Sequence, residues 1–98
     1  MSPVTIINTF AIKPDKIEEF VSAQQNFAAE VRKKPCGLLG GRLYRSTDGT
    51  AAVLISQFES QQAFEEIRQR EDFQQHLQRL RAMVNSANPV RFEEAYTM

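Results

Sequence analysis

The spacing of apolar residues along the chain predicts four strands and two helices, the second of which is interrupted. Runs rich in β-branched residues are typical of strands, whereas apolar residues three and four positions apart are typical of amphipathic helices. The predicted strands cover residues 4–12, 38–45, 51–58 and 90–96. The predicted helical segments cover residues 15–32, 61–70 and 71–85, because the apolar phase shifts between Ile67 and Phe73.

Residues that favour turns lie between these elements. Pro14 suits the first turn of a helix, where proline's missing N–H would have had no helical partner. Pro35 comes after the first helix and is expected to help end it. Asp48-Gly49 is typical of a hairpin turn, because both residues tolerate a positive φ. Residues 85–89 are Asn-Ser-Ala-Asn-Pro and predict a turn before the last strand.

The order of the elements predicts the fold class. With the interrupted helix counted once, the order is β-α-β-β-α-β. In a chain of 98 residues this order predicts an α+β, ferredoxin-like domain, in which a four-stranded antiparallel sheet carries helices on one face. The length allows one hydrophobic core, so residues 1–98 are expected to form a single domain.

The second face of the sheet also carries apolar residues. On the first strand this face contains Ile7 and Ala11 between threonines, and the third strand is apolar at successive positions from Ala52 to Ile55. A strand that is apolar on both faces is expected to be covered on both sides. A second copy packing sheet against sheet around a two-fold axis would supply that cover. The sequence therefore predicts a homodimer.

Composition and charge exclude several classes of partner. Twelve basic and twelve acidic residues cancel, so no overall field attracts nucleic acid or an anionic membrane. No apolar run approaches the roughly 18 residues of a membrane span, and the first ten residues lack the charged region that precedes a signal core. We therefore expect a cytoplasmic protein. A single Cys36 and a single His76 are too few for a cysteine-built or histidine-rich metal site, so no metal is predicted.

Three polar residues occupy positions where the pattern calls for apolar ones. Asn8 lies on the apolar face of the first strand, Gln24 on the apolar stripe of the first helix, and His76 on that of the last helix. A buried polar group without a partner costs a few kcal/mol, so each side chain must be hydrogen-bonded, hydrated or in contact with a ligand. If the first strand packs on the last helix, Asn8 and His76 line one cavity. A small-molecule site between sheet and helices is therefore the leading functional hypothesis.

Several segments together resemble the antibiotic biosynthesis monooxygenase family, and the resemblance covers nearly the whole chain. It rests on the order and spacing of an opening strand that runs into a helix, a turn that enters the second strand, a Phe-Glu-Ser sequence before a helix, and a segment of the last helix. These segments are residues 4–10 with 12–16 and 19–20, residues 35–40 with 42–44, residues 57–60 with 62–64, and residues 72–77.

The resemblance implies a dimeric α/β barrel and several possible activities. The family includes oxygenases that convert polycyclic phenols or anthrones to quinones without metal or flavin. It also includes haem-degrading enzymes and a sugar-phosphate isomerase. In the haem degraders a strand Asn, a Trp and a helix His form the site; Asn8 matches the Asn and His76 approximately matches the His. The chain contains no tryptophan, so haem cleavage is not predicted.

The candidate residues suit oxygenation without a cofactor. Such a reaction needs a base, a donor to the developing oxyanion, and a dry pocket that admits dioxygen. His76 is the candidate base, since imidazole titrates near neutrality, and Asn8 is the candidate donor. Gln24 offers a second polar contact to the substrate. The candidate apolar wall consists of Phe10, Phe27, Phe58, Phe73 and Phe92.

Other functions fit the same residues. A small-metabolite isomerase would use Asn8 and His76 without consuming oxygen, and a haem-binding protein would use His76 as a ligand. A non-catalytic dimer that binds a small molecule is a further alternative. In the simplest structural interpretation, the polar residues are satisfied by protein neighbours and the phenylalanines belong to the core.

Overall fold

The computed structural model describes residues 3–34 and 36–98, and in these residues four strands and three helices follow one another. Met1, Ser2 and Pro35, including the predicted role of Pro35 in ending the first helix, lie outside the described residues. The elements are β1 (Val4–Ile12), α1 (Ile17–Val31), β2 (Leu38–Arg45), β3 (Ala51–Phe58), α2 (Gln61–Arg68), α3 (Glu71–Arg81) and β4 (Val84–Phe92).

The four strands form one antiparallel sheet in the order β2-β3-β1-β4. β1 and β3 are therefore central, and β2 and β4 are the edges. In the middle of β1, Asn8 lies opposite Leu54 on one side and Pro89 on the other. This topology confirms the predicted ferredoxin-like fold, with the second helix divided into α2 and α3.

The helix and turn boundaries follow from local chemistry. Asp15 has φ 64°, a conformation that no helix continues, so α1 begins at Ile17 and not at the predicted residue 15. The Ser60 side chain accepts a hydrogen bond from the Ala63 N–H at 3.1 Å and caps the start of α2. Gly49, with φ 77°, allows the tight turn between β2 and β3, as predicted.

The core lies between the sheet and the helices in two clusters. The first cluster contains Phe10 of β1, Phe20 of α1 and Leu80 of α3. The second contains Ile6 of β1 and Ile67 of α2, and each cluster has further members from the sheet and the helices. Ile6 and Phe10, the inward residues on either side of Asn8, therefore belong to different clusters, and Asn8 lies between the two. All three helices contribute to these clusters, so all three pack on the face of the sheet that carries Asn8.

The end of the chain differs from the prediction. The predicted helix to residue 85, turn at 85–89 and strand at 90–96 were wrong: α3 ends at Arg81, β4 already begins at Val84, and residues 93–98 have no regular secondary structure. The reason is that β4 is an edge strand paired only with β1. An edge strand tolerates Pro89, because the backbone N–H that proline lacks is needed on only one side of the strand.

The outer face of the sheet has no helix of the described chain packed on it. Two rows of residues cross this face: Arg42, Ile55, Ile7 and Val90, and beside them Tyr44, Val53, Thr9 and Asn88. Tyr44, Val90 and Phe92 on this face are exposed. Among the described residues, no helix combines the length and the apolar character needed to cross a membrane.

Candidate functional site

A cavity of about 440 Å³ opens between the inner face of the sheet and the helices. This volume lies within the range of roughly 300–1,000 Å³ that is usual for small-molecule sites. Most of its wall is apolar, and Asn8, Gln24 and His76 are among the polar residues that line it. Three polar residues that the sequence singled out therefore converge on one cavity, from β1, α1 and α3.

Asn8 enters the wall from the centre of the sheet. Its side chain lies on the inner face with Ile6 and Phe10, and the residue is half-buried. Its Oδ1 is buried and has no hydrogen-bond partner among the described residues. Its neighbours across the strands, Leu54 and Pro89, carry no side-chain donor. A ligand or a water molecule is therefore needed to satisfy this oxygen.

Gln24 and His76 form a buried hydrogen bond between α1 and α3. His76 Nε2 lies 2.8 Å from Gln24 Oε1. His76 is 4% exposed and Gln24 is 8% exposed. His76 Nδ1 and Gln24 Nε2 are also buried, and neither has a partner in the described part of the chain. The two side chains thus satisfy one another only in part.

Aromatic rings fix the orientation of the imidazole. The Phe27 ring stacks on His76 with centroids 4.2 Å apart and planes 5° apart. Phe73 in turn meets Phe27 edge to face at a centroid distance of 5.8 Å. Because an imidazole packed face to face against a ring can change its plane only by displacing that ring, Phe27 limits the movement of His76.

His76 is neutral at physiological pH. Burial lowers its pKa from 6.5 to about 4, and the positive charge of Arg79 adds to the effect. Both causes act in the same direction, because each disfavours the imidazolium form. His76 is therefore available to accept a proton at pH 7, although it is a weaker base than free histidine.

The structure brings seven of the eight predicted site residues to the cavity: Asn8, Gln24, His76, Phe10, Phe27, Phe58 and Phe73. It does not bring Phe92 there. Phe92 lies opposite Thr5 at the end of β4, on the outer face of the sheet, and is 47% exposed. Pairing with Thr5, an outward residue of β1, places Phe92 on the outer face, and the sequence alone does not specify that pairing.

Periodicity in the sequence carried no signal for one cationic residue at the cavity, Arg32, which follows α1, lines the cavity and is exposed. Arg42 of β2 also borders the cavity, but its side chain lies on the outer face of the sheet, in the row with Ile55 and Ile7. The described residues that line the cavity include no Asp or Glu. Within the described ranges no group of three or more His, Cys, Asp or Glu side chains is placed to hold a metal ion.

The fold and the site thus define a small α+β protein of ferredoxin-like topology with a mostly apolar cavity between sheet and helices. The sequence assigns this chain more narrowly. Residues 3–79 match the sequence model of the antibiotic biosynthesis monooxygenase family, and the chain belongs to that family.

Solved structures with the same fold cover nearly the whole chain. SnoaB from Streptomyces nogalater, described as a cofactor-independent oxygenase, is 25% identical with a TM-score of 0.87, over 100% of this chain and 98% of SnoaB. Rv0793 from Mycobacterium tuberculosis is 21% identical with a TM-score of 0.82, over 98% of each chain. PA3566 from Pseudomonas aeruginosa is 20% identical with a TM-score of 0.82, over 98% of this chain and 97% of that one. A search of curated proteins found no match.

Proposed function

We propose that the chain is a cofactor-independent monooxygenase that oxidises a small aromatic substrate of the quinol or anthrone type. The observation that carries the proposal is the cavity in which Asn8 and a neutral His76 share an otherwise mostly apolar wall. Family membership and the likeness to SnoaB, a cofactor-independent oxygenase at 25% identity, support the reaction class.

The proposed reaction balances without an added reductant. An anthrone carries a CH₂ group between its aromatic rings. Loss of a proton gives a carbanion that transfers an electron to dioxygen, and recombination forms a C–O bond to a hydroperoxide. The hydroperoxide then loses water, so that CH₂ and O₂ become C=O and H₂O. The substrate supplies all the electrons, and the protein has to accept a proton and stabilise an anion.

The residues of the cavity are assigned roles on this basis. His76 accepts the substrate proton, and the Asn8 side-chain N–H donates to the substrate oxygen on which negative charge develops. Gln24, which is hydrogen-bonded to His76, also lines the cavity and gives the substrate a second polar neighbour. The apolar wall, formed in part by Phe10, Phe27, Phe58 and Phe73, holds the aromatic rings and excludes water.

The low basicity of His76 favours acidic substrates. Because burial lowers the pKa of the imidazole, proton transfer to it is easier from a substrate whose anion is well stabilised. Delocalisation of the negative charge over aromatic rings and a conjugated carbonyl group provides that stabilisation in quinol- and anthrone-type substrates.

Oxygen consumption tests the proposal. The purified protein is incubated at pH 7.5 with a panel of anthrones and naphthalene diols, without added metal or flavin, and uptake is followed with an oxygen electrode. We expect uptake above the background of the substrate alone. We expect Asn8→Ala and His76→Ala each to lower the protein-dependent rate by about 100-fold, because each removes a group that acts on the developing charge.

A matched control separates the site from the fold. Asn26 on α1 is exposed, so Asn26→Ala makes the same change as Asn8→Ala away from the cavity and should retain the wild-type rate. Absence of uptake across the whole panel would contradict the oxygenase proposal. Deuterium exchange into the same compounds without oxygen uptake would instead indicate a proton-transfer enzyme, the alternative that also uses a neutral His76.

We also propose that the protein acts as a homodimer in the cytoplasm. The outer face of the sheet carries Ile7, Val53 and Ile55 in its central strands, and a second copy would cover them by two-fold symmetry. This face and the cavity lie on opposite sides of the sheet, so a partner bound to the outer face would not enter the cavity through it. The single cysteine, Cys36, is a free thiol, which fits a reducing compartment.

A further inference from the structure

Gln24 and His76 meet beside the cavity although 52 residues separate them in the sequence. Both residues are buried and both line the cavity. The 2.8 Å distance between Gln24 Oε1 and His76 Nε2 is that of a well-formed hydrogen bond. This bond connects α1 to α3 at the polar end of the proposed site.

We propose that Gln24 is a positioning residue, which holds the Nε2 proton of His76 and thereby leaves the lone pair of the neutral imidazole on Nδ1. A carbonyl oxygen only accepts hydrogen bonds, so the nitrogen that faces Gln24 Oε1 carries hydrogen. A neutral imidazole has one N–H, so its other nitrogen has a lone pair. The inference rests on the proposed function only in giving His76 the role of proton acceptor.

The surroundings of the ring favour this single arrangement. Nδ1 is buried and has no partner among the described residues, so nothing there competes with Gln24 for the proton. Phe27 lies parallel to the imidazole at 4.2 Å and hinders the rotation that would exchange the two nitrogens. Gln24 therefore determines which nitrogen is protonated, and Phe27 determines the plane of the ring.

The charges near His76 show why a neutral amide, that of Gln24, suits the role of its hydrogen-bond partner. Arg79, on the same helix, disfavours the imidazolium form, and Arg32 lines the cavity at the end of α1. No carboxylate is present among the described lining residues. A carboxylate bound to Nε2 would stabilise the imidazolium and raise its pKa, whereas an amide carbonyl orients the ring without adding charge. The pair thus fixes the ring while His76 stays neutral.

Nuclear magnetic resonance of the imidazole nitrogens tests the inference directly. The chain contains one histidine, so ¹⁵N-labelled protein gives a single imidazole in a long-range ¹H–¹⁵N spectrum. At pH 7 without substrate, we expect Nε2 at the shift of a protonated nitrogen and Nδ1 at that of an unprotonated one. In Gln24→Leu the two ¹⁵N shifts should move towards each other, because neither tautomer retains a partner, and the Nε2 proton should exchange faster with water.

The conservative variant separates positioning from simple packing. Gln24→Glu keeps an acceptor at the same place, so it should restore the Nε2–H form and raise the pKa of His76 above its wild-type value. Gln78→Leu makes the same chemical change as Gln24→Leu on the exposed face of α3 and should leave the imidazole spectrum unchanged. With an active substrate, Gln24→Leu should lower kcat and leave KM nearly unchanged, since the cavity still binds the rings.

The outcomes distinguish this inference from the proposed function. An Nδ1–H tautomer in the wild type, or a spectrum that Gln24→Leu does not alter, would overturn the positioning role even if the protein consumes oxygen. A fixed Nε2–H form that depends on Gln24 would support it even if no substrate in the panel is oxidised. Loss of folding in Gln24→Leu would not decide the matter alone, because the wild-type tautomer and the Gln24→Glu variant each test it independently.

Discussion

Burial of His76 makes the stability of the fold depend on pH. The pKa of His76 is about 4 in the folded protein and near 6.5 when exposed, so between these values the unfolded chain binds a proton that the folded one does not. The contribution of the neutral His76 to the stability of the fold is therefore present well above pH 6.5 and is lost as the pH falls towards 4. We expect this one group to lower the free energy of unfolding by about 2–3 kcal/mol between pH 7.5 and pH 4.5, measured by urea denaturation.

The control for this prediction is His76→Phe, which keeps an aromatic ring against Phe27 but does not titrate. The carboxylates titrate alike in both proteins, so the difference between the two pH dependences isolates the histidine. An equal loss of stability on acidification in His76→Phe and in the wild type would show that the histidine is not buried in neutral form.

Single residues were the part of the site that the sequence could predict. Asn8, Gln24 and His76 each break an apolar pattern, and a broken pattern is visible without any tertiary information. The hydrogen bond between Gln24 and His76 was not predicted, because it depends on how far α1 and α3 approach each other. Arg32 was missed because an arginine at an exposed position is ordinary.

At the scale of the elements, the contact between the start of β2 and α2 is unusually close. Gly37 precedes β2, and its carbonyl oxygen accepts the Glu59 N–H at 2.7 Å. A Cβ atom on Gly37 would overlap the Cβ atom of Ala63 on α2. Because Ala63 has no flexible end to move aside, the helix or the strand would have to shift.

We therefore expect Gly37→Ala to destabilise the fold by about 1–3 kcal/mol, the usual effect of overpacking. Gly40→Ala is the matched control, since a Cβ atom on Gly40 meets nothing within 4 Å. That control should change the free energy of unfolding by less than about 0.5 kcal/mol. Urea denaturation of both variants at one protein concentration measures the difference, and equal effects would contradict the close contact.

The elements also show where local patterns mislead. β1, β2 and β3 were predicted with their observed bounds, because short runs that contain apolar residues and are flanked by turn residues identify them. β4 was misplaced because Asn85 to Pro89 has the composition of a turn. Pairing with β1 overrides that preference, since an edge strand accepts residues that a central strand excludes. A pairing partner is a tertiary fact that no local window contains.

At the scale of the whole molecule, one face of the sheet is covered by the chain itself and the other is not. With four strands of eight or nine residues, the uncovered face measures roughly 30 by 20 Å. A corrugated face of that size approaches the ~800 Å² per partner of a standard interface. The sequence predicted that this face needs cover because it is apolar, and the fold shows that no described helix provides that cover.

The homodimer is tested by size-exclusion chromatography with light scattering at micromolar concentration. We expect the wild type at twice the chain mass of 11.2 kDa. Val53→Lys places a charge in a central strand of the outer face, beside Thr9 and Tyr44, and should give a monomer because a desolvated unpaired charge is costly. Gln78→Lys adds the same charge on the exposed side of α3 and should stay dimeric. Circular dichroism would show whether Val53→Lys remains folded. A monomeric wild type would contradict the dimer, whatever the variants do.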